Sequence, residues 1–507
     1  MIPIASSEEI KEIDRLSINE WGIPSLALME AAAFAVLQTI KNIVSTLENK
    51  SFLIVCGKGN NAGDGFALAR QLISKNAKVD ILYSHSIHEM SHEAQTNFKY
   101  LEKMKATRLL FSNIEQKQIN QSYDLVIDAL LGTGIKGSVT GVLGEMITFI
   151  NQINSPILSI DLPSGMNADT SNIEGPCVKA NYTLCIGLPK PAIYFEPSKS
   201  YVGVINHDTI GFPNPLLKTQ QYLVDNLSTK DLPQRTKDSH KSNSGKLLIF
   251  AGSMGMTGAA ILAATSALKS GAGMVQIATT KDLAYIFQVA LPEAMVLILE
   301  QDNNSILLES AIKSILSRTE NWSNALVIGP GLGTNPITKS IVKELITKVE
   351  QPLLLDADGI NAISDSPEII KERTHPLVIT PHIGEFKRLF KQTPAPNGLP
   401  LIQQCRQLSE KFNITLHLKG APSLTASSNS DVYINATGNS ILSTAGSGDV
   451  LSGLAGSFLA QGLSPEKAII SASFWHGKSA DDLLNKKGPI GHTAKDIANQ
   501  LPIVLND

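Results

Sequence analysis

Asp449 closes a glycine-rich stretch, TAGSGDVL (444–451), that opens into an apolar segment patterned as a helix. The glycines suit a phosphate cradle, yet no Lys-Ser or Lys-Thr follows them, so this is not a Walker-type loop. The amides of Ala445 to Gly448, at a helix start, would stabilise negative charge developing on phosphate oxygens. A carboxylate beside them is better used as a base, taking a proton from a hydroxyl as it attacks phosphorus. That chemistry is phosphoryl transfer to an alcohol. A second set of polar residues lies nearer the N-terminus. GKGNNAGDGFALAR (57–70) follows a strand-like run and precedes a helical one, and its Asn60, Asn61 and Asp64 are side chains that a mere turn does not need. DALLGTGIKG (128–137) and DLPSGMNADT (161–170) each place an aspartate, Asp128 and Asp161, where a strand ends. Helix capping or turn formation would explain each acid singly. Three such loops together point to a ligand.

The elements that must position these loops are buried strands alternating with helices. SFLIVCG (51–57), KVDILYS (78–84), DLVIDALLG (124–132) and PILSIDLPSG (156–165) read as strands, and GFALARQLISKN as a helix between the first two. This β-α-β rhythm implies a parallel sheet covered by helices on both faces. It breaks at 211–245, a polar, proline-bearing stretch without periodicity that reads as a linker. The boundary falls near Thr219, dividing the chain into domains 1–218 and 219–507. Beyond it the rhythm restarts with strand candidates at 246–253, 274–280, 325–333, 352–359, 376–382 and 414–420. AAILAATSALKSGAG and DVLSGLAGSFLAQG read as helices. In such sheets ligands lie outside the carboxyl ends of the strands. GSMGMTGAA, GPGLG (329–333), DADGIN (356–361), TPHIGEF (380–386) and HLKGAPSLT (417–425) all fall at that edge. Singly, Lys419 reads as a strand-end cation, His382 as a capped surface histidine, and Asp356 and Asp358 as turn residues. Their recurrence after successive strands argues for one site.

Bulk composition agrees with an enzyme of two globular domains. The chain has 507 residues, 43% apolar and 18% charged, with a formal net charge of −3. That balance offers no basic footprint for nucleic acid and no polybasic membrane patch. The N-terminus turns charged within eight residues, and no uninterrupted apolar run reaches bilayer length, so a cytoplasmic protein without a membrane partner is expected. The four cysteines are far apart and read as reduced thiols. A homo-oligomer is expected.

GNNAGDG, DALLGTG and DLPSG, with EEIKEIDRLSINEWGIPSLALMEAAA at the start, resemble the NAD(P)H-hydrate epimerase domain over about residues 1–215. The resemblance implies a Rossmann-like fold in which Asn60, Asn61, Ala62, Gly63, Asp64, Gly132, Thr133, Gly134, Ile135, Lys136, Gly137, Ser138 and Asp161 contact the hydrated dinucleotide. It further implies a potassium ion on Asn61, Asp128 and Ser164, and Asp161 as general acid and base at the reacting ring. Ala62 stands where that family usually carries glycine, so its methyl would crowd a phosphate or shift the loop. GSMGMTGAA, GPGLG, DADGIN, TPHIGE, LKGA and TAGSGDVLSG resemble the ADP-dependent NAD(P)H-hydrate dehydratase domain of the ribokinase-like superfamily, over about residues 225–507. Implied there are Ala259, Gly331, His382 and Asp449 on the hydrate, Lys419, Gly420, Ala421, Pro422, Ser423 and Gly448 on ADP, and magnesium on the phosphates. Ser242, and Ser447 before Gly448, depart from that pattern without removing a functional side chain. The fold class is thus α/β, two tandem three-layer domains. The substrates implied are hydrated NADH, hydrated NADPH and ADP. The alternative is a ribokinase-like small-molecule kinase with an N-terminal nucleotide-binding regulatory module.

Overall fold

The computed structural model describes residues 1–104, 106–113, 122–234, 240–303 and 306–506. The chain forms two compact units. The first comprises Pro3–Gln220 with Pro396–Leu401, and the second Gln221–Ala395 and Ile402–Asp507 with Met1–Ile2.

In the first unit seven strands form one sheet, in the order Thr107–Leu110, Lys78–Tyr83, Ser51–Cys56, Leu125–Ala129, Ile157–Ile160, Tyr182–Ile186 and Val204–Asp208. Every neighbouring pair is parallel. Alternation along the central strand explains the layers, because successive side chains leave opposite faces. Phe52, Ile54 and Cys56 pack into one core with Leu28, Ala32, Val36 and Ile40 of the helix Ser25–Ile43. Leu53 and Val55 pack into another with Met146, Ile147 and Ile150 of the helix Gly141–Gln152. The helix Ser25–Ile43 is long and apolar enough to cross a membrane, with a mean hydropathy of 1.3, and half of it is buried in this unit. Its Glu30 and Lys41 interrupt what the sequence shows as separate apolar runs. The segment Pro396–Leu401 completes the unit: Leu399 N donates to Asp169 O at 2.7 Å, and Ser171 N to Asn397 O at 3.3 Å.

The second unit carries an eleven-stranded sheet. Ten of its strands run Gln221–Val224, Val432–Asn435, Ser423–Ala426, Thr415–Leu418, Leu377–Ile379, Leu353–Leu355, Ala325–Ile328, Lys246–Phe250, Met274–Thr280 and Met295–Leu299. Pairing is parallel except on either side of Ser423–Ala426, where a hairpin reverses direction. Gln221–Val224 pairs with Val432–Asn435, so part of the expected linker is a strand; residues 235–239 of that stretch lie outside the described residues. A four-residue strand, supported from outside its own sequence by a distant partner, leaves little periodicity to read.

One helix pair fixes the position of Asp449. The helix Ser447–Ala460 packs along the helix Thr257–Lys269, and Gly453 permits the approach. A methyl on Gly453 would overlap the backbone carbonyl of Ala263 and the Ser266 hydroxyl. Alanine gains about 1 kcal/mol of helix propensity over glycine, but overpacking a filled core costs about 1–3 kcal/mol. The obstacle is backbone, which cannot rotate aside, so the second effect wins. Gly453→Ala is therefore expected to lower stability by about 1 kcal/mol, measured as a lower urea midpoint. An unchanged midpoint would mean the helix pair has slack.

Candidate active sites

In the first unit the strand Ser51–Cys56 leads into the helix Asn60–Ile73, whose N-cap Gly59 offers no side chain to its amides. Beside it lies a cavity of 740 Å³, lined among others by Asn60, Asn61, Asp64, the whole run Gly132 to Ser138, Asp161 and Lys190. Ala62 and Gly63 are absent from that lining. Ala62 is fully buried in the core facing the helix Ser25–Ile43, so its methyl points into packing. Gly63 faces Met29, whose side chain would meet any Cβ added there.

Asp128 sits inside the strand Leu125–Ala129 and is fully buried. Its carboxylate accepts from Ser164 Oγ (2.6 Å), Ser164 N (2.9 Å), Ser159 Oγ (2.8 Å) and Leu130 N (3.2 Å). Burial raises its pKa against the pull of these donors. Asn61 Nδ2 donates to Leu131 O at 2.9 Å and Ile160 O at 3.3 Å, leaving the buried Asn61 Oδ1 without a donor. Asn61, Asp128 and Ser164 thus converge through the Leu131 segment, to whose amide Ser164 Oγ is the acceptor at 2.9 Å.

Asp161 follows the strand Ile157–Ile160 with φ at 70°, in the left-handed region. Such a backbone persists only where its surroundings over-determine it. Its Oδ1 accepts from Lys190 Nζ and, at 3.3 Å, from Ile186 N. Asp64 lies on the same cavity wall; burial and the nearby Asp161 and Asp14 carboxylates push its pKa well above the usual carboxylate range. The cavity therefore holds one carboxylate paired with a cation and one carboxyl biased towards its acid form. Lys190 is the residue sequence reasoning missed. The signal available was one charge isolated in the apolar run GLPKPAIYF (187–195).

In the second unit the strand-end loops are joined by hydrogen bonds. Ser253 Oγ donates to Gly331 O at 2.9 Å, and a methyl on Gly331, φ 60°, would stand 3.0 Å from Ala259 Cβ. Gly333 N donates to Asp358 Oδ2 at 2.8 Å, Asn361 Nδ2 to Asp358 Oδ1 at 3.2 Å, and Arg388 Nε to Asn361 Oδ1 at 3.0 Å. His382 caps the helix Ile383–Phe390, its Nδ1 accepting from Gly384 N at 2.9 Å and its Nε2 standing 3.3 Å from Glu385 Oε1, while its side chain stays 54% exposed. Lys419 Nζ donates to Asp356 Oδ1 at 2.5 Å, and Ser452 Oγ to Asp356 Oδ2 at 2.6 Å. This ties the Lys419–Ser423 segment to the helix carrying Asp449. Gly448 lies against the ammonium, since a methyl there would stand 3.4 Å from Lys419 Nζ.

The helix Ser447–Ala460 has Gly446 at its N-cap, φ 88°, and no side chain satisfies its first amides. An anion is the natural partner for such a helix start. Asp449, in its first turn, is raised to about 7, chiefly by burial and then by Asp356 and Asp358, with Lys419 opposing. Burial works to lower the Lys419 ammonium, but Asp356, Glu385 and Asp449 more than reverse it, so Lys419 stays charged. Asp449 is thus poised to accept a proton near neutrality, beside a helix start and a fixed cation. Asp356, Glu385 and Ser452 hold this arrangement together; their motifs were visible, but which of them paired with Lys419 was not.

Comparison with known proteins identifies the family. The family described as NAD(P)H-hydrate dehydratase matches residues 247–503, and that of the YjeF-related protein N-terminus matches residues 25–192. The bifunctional NAD(P)H-hydrate repair enzyme Nnr of Moorella thermoacetica is 36% identical, covering 99% of this chain and 97% of that protein. That of Escherichia coli is 30% identical, covering 99% and 93%. Among solved structures, the ADP/ATP-dependent NAD(P)H-hydrate dehydratase of Bacillus subtilis, co-crystallised with ATP and Mg2+, is 26% identical over 55% of this chain and 95% of that one, with a TM-score of 0.46. A ribokinase-like superfamily protein of Enterococcus faecalis is 26% identical over 57% and 96%, also with a TM-score of 0.46. With both domains matched and relatives alike from end to end, the chain belongs to the family of bifunctional NAD(P)H-hydrate repair enzymes.

Proposed function

We propose that the first unit interconverts the R and S epimers of hydrated NADH and NADPH, and that the second dehydrates the S form using ADP. The observation that carries this reading is Asp449, a carboxyl tuned to about 7 in the first turn of a helix whose amides lack a side-chain cap. The hydrate's hydroxyl gives its proton to Asp449 as its oxygen attacks the terminal phosphorus of ADP, and AMP departs. The ring nitrogen's lone pair then expels phosphate, and loss of a proton from the neighbouring carbon restores the dihydronicotinamide. Phosphorylation is needed because hydroxide is a poor leaving group. Gly448 and the uncapped amides stabilise the phosphate oxygens, with Lys419 beside them. Magnesium bound with the nucleotide would screen its phosphates. Ala259, Gly331 and His382 border the hydrate, and Gly420 to Ser423 the adenine nucleotide.

In the first unit the hydroxyl leaves as water after receiving a proton, for which the carboxyl of Asp64 is suited. Water returns to the opposite face and surrenders its proton to Asp161, and return of that proton to Asp64 across the shared cavity resets the pair. The loops at Asn60 and Gly132 to Ser138 hold the dinucleotide, while Ala62 and Gly63 support them from the core. A potassium ion fits Asn61, Asp128 and Ser164: Asp128 is a buried carboxylate held by neutral donors, and Asn61 Oδ1 is a buried acceptor without a donor. When bound, the ion supplies fixed positive charge next to the dinucleotide loop.

Mixed epimers of hydrated NADH with ADP and magnesium should be converted completely to NADH, AMP and phosphate, followed by absorbance. A stable phosphorylated product would instead indicate a kinase. Asp449→Ala should abolish dehydration and spare epimer exchange, whereas Asp161→Ala should do the reverse. Near-normal dehydration by Asp449→Ala would remove the base assignment. Because a base must be deprotonated, dehydration should rise with pH through an acid limb centred near 7. A flat profile between pH 6 and about 8 would mean that proton transfer to Asp449 does not limit the reaction.

A further inference from the structure

Lys190 is buried in an apolar stretch, its side chain 1% exposed, between Leu188 and Ile193. An ammonium there is strongly disfavoured unless paired and hydrogen-bonded. Its partners are Asp161 Oδ1 and the Ile186 carbonyl, at 2.8 Å from Nζ. Ile186 N donates to the same Oδ1, so both ties reach one oxygen of the carboxylate. Oδ2 faces Gly132, where a methyl would stand 3.3 Å away. Gly132 and Asp161 both line the cavity.

We propose that Lys190 is the positioning residue of the epimerisation site, anchoring Asp161 through Oδ1 and leaving Oδ2 as the oxygen that exchanges a proton with the hydrate. This rests on the reading of Asp161 as the proton carrier. The charged and titratable groups facing Asp161 are Lys190, Asp64 and Cys185, with Lys11, Asp14, Lys58 and Lys136 elsewhere on the cavity wall. Among them Lys190 alone is in ion-pair contact, and Asp64 acts against it. Taking the ammonium away would favour the protonated carboxyl, so the base form would survive only at higher pH. A lysine that merely filled space would have no such effect.

The test compares the full-length protein with Lys190→Met and Lys190→Arg, separating the two epimers of hydrated NADH by chromatography. For Lys190→Met the expected result is a kcat for epimer exchange lowered roughly 100-fold at pH 7, with KM changed less than about threefold, and an acid limb displaced upwards by about one pH unit or more. Lys190→Arg, which keeps the charge, should return the limb towards the wild-type position. In parallel, carbon NMR of aspartate labelled at the carboxyl, with Asp161→Asn to assign the signal, should show Asp161 titrating at higher pH in Lys190→Met. An unmoved limb and an unmoved Asp161 titration would overturn the proposal, as would a loss confined to KM. If Lys190→Met does not fold, Lys190→Arg decides through the same two readouts: wild-type-like values support the proposal, and lost exchange with an unmoved Asp161 titration overturns it. The NMR readout holds even for an inactive wild type, which would strike the epimerase reading instead.

Discussion

A lysine tied to an aspartate at the end of a parallel strand organises the strand-end loops of each unit, Lys190 fully buried and Lys419 half-buried. In the second unit Lys419 and Asp356 form that pair, and in the first Lys190 and Asp161. Taking two charges out of water is costly, and apolar replacements often serve stability as well or better. What the pair provides is a fixed charge at the sheet edge where the loops emerge. Around Lys419 that charge holds Asp356 through one oxygen while Ser452 holds the other, so the helix bearing Asp449 is registered to the strand ends. Asp449 is positioned by contacts it does not itself make.

The two units set their acids apart by different means. Asp449 stands near other carboxylates with only a partial counterweight from Lys419, and it titrates near neutrality. Asp161 has its own ammonium in contact, while Asp64, without one, is driven towards the protonated form. Chemically identical groups thus stand in different environments, which suits them to the opposite roles proposed above. The central strands of each sheet, buried on both faces, supply the low-dielectric backing that makes these differences large.

Much of this was legible in the sequence because strand-end loops are local. GNNAGDG, DALLGTG, DLPSG, DADGIN and AGSGD each announce themselves by glycine and acid within a few residues, and the apolar runs before them read as strands. The long central strands were readable for the same reason. Gln221–Val224, Ser423–Ala426 and Val432–Asn435 were not, since each is only four residues long, and Gln221–Val224 finds its partner strand, Val432–Asn435, far along the chain. Ala62 was misjudged in direction: a loop residue near a ligand motif turns into the core once the helix begins at Asn60. Lys190 escaped because a buried cation is recognisable only when its partner is known, and that partner lies 29 residues away.

The segment Pro396–Leu401 gives the chain an interleaved ancestry. Its backbone accepts from Ser171 and donates to Asp169, whose carboxylate in turn receives the amide and hydroxyl of Ser7 at the head of the first helix. Six residues encoded deep in the second half thereby complete the first. The halves are consequently not interchangeable cassettes. Cutting the chain at a single junction near residue 220 would strip Asp169 and Ser171 of their backbone partners in Pro396–Leu401.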